Sequence, residues 1–82
     1  MGSRLLVGRT EGGVGADVEL DDDSVSRRHA EFVVSDGAWL LRDLGSTNGT
    51  WVGEWRLPPG EAAEVVPGST VRVGNVTGSM RG

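Results

Sequence analysis

The sequence predicts an all-β fold, a β-sandwich of short, mostly antiparallel strands, and three observations point there. Fourteen Gly and three Pro are spread along 82 residues, so a long helix would meet a breaker wherever it ran. Apolar residues recur with a period of two in several segments, as they do on a half-buried strand. Turn-forming pairs punctuate those segments at short intervals, as they do in sandwiches.

Taken in order, Arg4 to Val7 reads as a first strand ending at Gly8-Arg9, followed by a glycine-rich loop at Gly12-Gly13-Val14-Gly15. Ala16, Val18 and Leu20 would share one face of a second strand, with Asp17 and Glu19 on the other. Asp21-Asp22-Asp23-Ser24 breaks that alternation. It resumes from His29 to Val34, with Ala30, Phe32 and Val34 pointing one way, and Asp36-Gly37 follows as a tight hairpin turn. Trp39-Leu40-Leu41 is the most continuous apolar segment and reads as a central strand buried on both faces. It ends at Asp43, where residues 44–50 form a loop of Gly, Ser, Thr and Asn. Trp51-Val52, Trp55 to Leu57, Ala63 to Val66 and Thr70 to Val73 complete the strands. Core packing is the expected use of at least one of Trp51 and Trp55.

A chain of this length buries only about 60% of its unfolded surface, which allows one domain, 1–82, with a thin core. No Cys is present, so neither a disulfide framework nor a thiolate metal site can hold it. The longest apolar run falls far short of the ~20 residues that span a bilayer, so no membrane partner and a cytoplasmic location are expected. The net charge of −4 argues against a nucleic-acid binder that tracks phosphates with a cationic surface. All eight cations are Arg, whose guanidinium forks suit bidentate phosphate binding. With the high Gly and Val content, that Lys-free bias fits a bacterium of high GC content.

Three groups stand out chemically: Gly8-Arg9 at a strand end, Ser26-Arg27-Arg28-His29 at a strand start, and the Ser46-Thr47-Asn48-Gly49 loop. Together they offer cationic forks, hydroxyls and an amide, with no paired carboxylates and a single His, an inventory for holding an oxyanion. Their order and spacing, with Ala30 after the second group and the run Leu41-Arg42-Asp43-Leu44 before the third, resemble the forkhead-associated (FHA) domain family over roughly residues 4 to 57. The resemblance implies a sandwich whose loops at one end read phosphothreonine in a partner protein, usually a substrate of a Ser/Thr kinase, and thus a part in signal transduction without catalysis.

Position by position, Arg9 resembles the family's phosphate-gripping arginine, Ser26 its hydroxyl donor, and Arg27 a second cation; each is otherwise a solvated strand end, a turn former or a solvated charge. Thr47 and Asn48 resemble the pair that meets the bound peptide, although Asn48-Gly49 also suits a tight turn. Ser24 stands where some relatives contact phosphate. His29 invites a catalytic or metal reading, but the resemblance makes it architectural, bonding loop backbone, and Gly8 and Gly49 are backbone requirements. No catalytic residue, metal or cofactor is expected.

The sequence departs from the family in three places. The chain reaches Gly8 after one short strand, where relatives generally have a further strand pair, so the expectation is either a sandwich lacking that pair or a chain that is an excised fragment. Residues 76–82 lack the alternation of a closing strand. Asp21-Asp22-Asp23 would oppose an anion, and reads as a solvated turn, less well as a calcium loop since EF-hand spacing is missing, or as a selector of basic residues flanking the phosphothreonine. Two rival functions remain. An enzyme built on Ser26 and His29 has no nucleophile elbow. A phosphate-independent interaction module of the same fold would be favoured by exposure of Trp51 and Trp55.

Overall fold

In the computed structural model, residues 3–10 and 16–79 are described. The expected loop at residues 12–15 and the segment 80–82 lie outside them. Nine strands run in chain order: β1 (Ser3–Arg9), β2 (Val18–Leu20), β3 (Ala30–Ser35), β4 (Ala38–Asp43), β5 (Thr50–Val52), β6 (Trp55–Arg56), β7 (Ala62–Val65), β8 (Thr70–Val73) and β9 (Val76–Ser79). They form a five-stranded sheet in the order β2-β1-β3-β4-β7 and a four-stranded sheet in the order β6-β5-β8-β9.

Every pairing is antiparallel except β1 with β2, which runs parallel from Val7↔Val18 to Arg9↔Leu20. The β3–β4 hairpin closes on Asp36-Gly37, with φ of 52° and 78°. Positive φ at both central residues fits the right-handed twist of the flanking strands, which is why Asp-Gly is favoured there.

The period-two pattern delivers the core. Ala30, Leu41 and Val65 are buried from the first sheet, Val73 from the second, and Val7 from β1. Phe32, Val18 and Leu20 pack against them on the same side, as the alternation requires. Val25 and Leu57, both from connections, fill the remaining space. Phe32 and Trp39 meet edge to face at 6.2 Å.

Three expectations are corrected. Residues 76–79 do form a closing strand, β9, held by β8 through the two-residue turn Gly74-Asn75; backbone pairing there needs no apolar alternation. β4 is central but not buried on both faces: Leu41 is buried, whereas Leu40 points to the half-covered outer side between Val33 and Glu64. Neither Trp51 nor Trp55 enters the core cluster: Trp51 is half-buried and Trp55 is 54% exposed on the edge strand β6.

Candidate functional site

One end of the sandwich gathers the end of β1, the β2–β3 connection (residues 21–29), the β4–β5 loop (residues 44–49) and the β8–β9 turn. Backbone contacts fix their positions. Arg9 N–H donates to Ser26 O at 3.1 Å, and His29 N–H donates to Val7 O at 2.9 Å. The chain between them passes so close to Gly8 that a Cβ there would sit 1.8 Å from the Arg27 carbonyl oxygen. Only glycine permits that approach.

Arg9 is half-buried, and its Nε is buried without a hydrogen-bond partner among the described residues. A buried donor left unpaired carries a desolvation penalty of about 1–3 kcal/mol, so an incoming acceptor gains what the folded chain leaves open. Beside it, Ser26 Oγ accepts the Thr47 amide at 3.2 Å. That contact uses an oxygen lone pair and leaves the hydroxyl proton to be donated outward. Arg27 and Arg28 are exposed. Among the described residues the one ion pair is Arg4 with Glu31 at 4.0 Å, so Arg9, Arg27 and Arg28 hold no carboxylate within that set.

His29 is fully buried and joins two loops. Its Nδ1 accepts the Ser26 amide at 3.0 Å, so Nε2 carries the proton and donates to Gly49 O at 2.8 Å. Both ring nitrogens are thereby committed to backbone, and neither addresses the Ser26 hydroxyl. Gly49 takes φ of 92°, and a Cβ on it would lie 2.7 Å from Arg56 Nε.

A second buried group, Asp43, organises the β4–β5 loop. Its carboxylate accepts the Thr50 hydroxyl at 2.7 Å, the Ser46 hydroxyl at 2.5 Å, and the amides of Gly45 and Ser46 at 2.9 and 3.2 Å. Burial pushes its carboxyl up, but the Ser46 and Thr50 hydroxyls and the two amides together hold it below the ordinary value of 3.8. The Ser46 hydroxyl also accepts the Gly49 amide at 3.0 Å, so one carboxylate fixes the loop that presents Thr47 and Asn48, both exposed.

Asn48 donates through Nδ2 to Ser24 O at 2.8 Å. Its Oδ1 takes no bond among the described residues and is available to a ligand's backbone. Ser24 itself is committed: its hydroxyl donates to Asp22 at 2.6 Å and accepts the Asn75 amide at 2.8 Å. The Ser24 hydroxyl, and then the Ser24 amide, which donates to the same Asp22 oxygen at 2.9 Å, lower the Asp22 carboxyl. Asp22 therefore works as a turn cap. Among the described residues no three His, Cys, Asp or Glu side chains are grouped to hold a metal.

The expected residues Gly8, Arg9, Ser26, His29, Thr47, Asn48 and Gly49 thus converge, and Ser24 joins them facing inward. The reading of the sequence missed Asp43 and the Gly74-Asn75 turn. Asp-x-x-Ser, an Asx-type turn pattern, was the signal for Asp43, and Gly-Asn between two valines was the signal for the turn.

The family model of the FHA domain matches residues 5–74. The chain belongs to the FHA domain family. Among curated proteins it is similar to the glycogen accumulation regulator GarA of Mycolicibacterium smegmatis, 39% identical across 89% of this chain and 47% of that protein. It is likewise 39% identical to the oxoglutarate dehydrogenase inhibitor of Corynebacterium diphtheriae, across 89% of this chain and 52% of that one. The chain therefore spans about half the length of these FHA relatives. Among solved structures, the FhaA FHA domain complexed with the intracellular domain of Rv3910 superposes with a TM-score of 0.76 at 34% identity, covering 90% of this chain and 75% of that one. An FHA domain from a study of phosphothreonine-dependent FHA interactions gives 0.74 at 35% identity, covering 90% and 71%.

Proposed function

We propose that this FHA domain, residues 1–82 acting as one unit, binds phosphothreonine in partner proteins of Ser/Thr kinase signalling, in the cytoplasm and without catalysis. The observation that carries the reading is the buried, unpartnered Nε of Arg9 at the rim it shares with Ser26. A phosphate dianion offers oxygens to Arg9 and the Ser26 hydroxyl, with Arg27 as a further exposed cation, and charge-assisted bonds of this kind are about twice as strong as neutral ones. Asn48, anchored through one N–H on Ser24, has its oxygen and second N–H for the peptide main chain on either side of the phosphothreonine. Preference over phosphoserine would come from covering the γ-methyl, worth about 0.8 kcal/mol by transfer alone. Catalysis finds no support, because His29 spends both nitrogens on backbone and no base is bonded to the Ser26 hydroxyl among the described residues. Relatives support the ligand class: one similar structure is of phosphothreonine-dependent FHA interactions, and another, 27% identical, is of a yeast FHA domain with a phosphothreonine peptide.

Calorimetric titration against a degenerate phosphothreonine peptide library and its unphosphorylated twin tests the reading. Binding should require phosphate and drop at least tenfold in Arg9→Ala and in Ser26→Ala, since a bond to a charged group is worth about 1.5–3 kcal/mol. The exposure of Trp55 favours one other reading, phosphate-independent docking on the β6 edge. Equal binding of both libraries, lost in Trp55→Ala and kept in Arg9→Ala, would establish that instead.

A further inference from the structure

The outer face of the four-stranded sheet carries an arrangement that the phosphate site does not use. Arg56 on β6 and Arg72 on β8 stand directly opposite Trp51 on β5, one on each side. Their guanidinium carbons lie 5.2 Å and 4.4 Å from the centre of the Trp51 ring. Cations at such distances are attracted to the indole face, and stacking restrains two otherwise flexible side chains that both remain exposed. Both arginines are exposed, and neither forms an ion pair among the described residues. In a chain of net charge −4, these two cations are not gathered by neighbouring acids.

The ladder is continuous with the loops of the site. Arg56 lies against Gly49, next to Asn48. Arg72 donates from Nε to Gly74 O at 2.7 Å, while the Gly74 amide donates to Gly49 O at 3.0 Å and the Asn75 amide to Ser24 Oγ at 2.8 Å. A peptide leaving Asn48 along Gly49 and Gly74 meets the two exposed guanidinium groups.

We infer that the Arg56–Trp51–Arg72 ladder selects partners with Asp or Glu side chains on one flank of the phosphothreonine, pairing each carboxylate with an exposed guanidinium. The inference rests on the phosphothreonine reading and names the partner class for that site. The ligand's charge would complement the ladder's, acidic where it crosses Arg56 and Arg72.

Fluorescence anisotropy with short synthetic peptides tests it. Each carries one phosphothreonine in an Ala-Gln background, with a Glu pair on the N-terminal flank, on the C-terminal flank, or absent. For each of the wild type, Arg56→Gln and Arg72→Gln, the ratio of affinities for Glu-bearing and neutral peptides is read, which cancels any general loss in a variant. One flank should gain roughly three- to tenfold in the wild type, as two exposed ion pairs allow, with the gain shrinking in each variant and at high salt. No gain on either flank, or a gain that survives both substitutions, would overturn the inference while leaving phosphothreonine binding intact. An oligothymidine that binds through the same two arginines, with no Glu preference, would reassign the ladder to nucleic acid. If no peptide binds in a phosphate-dependent way, the underlying reading fails and the inference fails with it.

Discussion

At the scale of single residues, the domain places few groups at its ligand end and fixes each by a bond that leaves a chosen atom free. Ser26 accepts with its oxygen and keeps its proton; Asn48 is held by one N–H and keeps its carbonyl oxygen. Asp43, like His29 and the Ser24 hydroxyl, is spent internally, its carboxylate on Ser46, Thr50 and Gly45. Since its folded-state carboxyl lies below the ordinary 3.8, the unfolded chain takes up the proton first as pH falls. The stabilisation is complete above that ordinary value and disappears as pH drops through the lower folded one. Chemical denaturation followed across acid pH should show stability falling below about pH 4. In Asp43→Asn the domain should be weaker at neutral pH, with a shallower acid limb; an unchanged slope would mean that Asp43 does not report this linkage. These residue roles were unequally legible. Gly8-Arg9 and Asn48-Gly49 carry their requirement in their own identities, whereas the commitment of the Ser24 hydroxyl to Asp22 and Asn75 depends on a loop arriving from β8, far along the chain.

At the scale of elements, hairpins with two-residue turns were the easiest to read and long-range pairings the hardest. Asp36-Gly37 specifies its own turn, so β3 and β4 followed from local sequence. The parallel pairing of β1 with β2 has no local signature, because two parallel strands cannot be joined by a tight turn that marks itself in the sequence. β9 was missed because Gly78-Ser79 cuts short the pattern that Val76-Thr77 begins, and the strand is recruited by pairing with β8. Loop position depends on the same cross-element bonding. His29 ties the Ser26 loop to Gly49 while fully buried, so it cannot reach a ligand, and its removal should still weaken binding. His29→Ala should lower unfolding free energy by about 2–4 kcal/mol through an unfilled cavity and two backbone groups left unpaired. Titration of the folded variant should show phosphopeptide affinity falling as well. Affinity retained in a destabilised but folded variant would show that the two loops hold their positions without the imidazole.

At the scale of the whole molecule, function follows from an uneven distribution of charge and burial rather than from net charge, which is negative. The thin core serves to bring loops from both sheets to one end: Val25 packs below the Ser24–Ser26 turn, and Leu57 is held under the β4–β5 region by its amide bond to Thr50 O at 2.8 Å. The Arg56–Trp51–Arg72 ladder belongs to this scale, since three residues from three strands become neighbours only through sheet register, and no window of sequence could reveal it. The central claim is that Arg9 Nε waits, buried, for a phosphate oxygen. It is tested most directly by following the Arg9 Nε–H resonance in nitrogen–proton correlation spectra, assigned by its loss in Arg9→Lys, while phosphothreonine peptide or its unphosphorylated twin is added. A downfield shift and slowed solvent exchange of that one proton are expected with the phosphorylated peptide alone. A bound phosphopeptide that leaves the resonance where it was, or a twin that moves it equally, would contradict it.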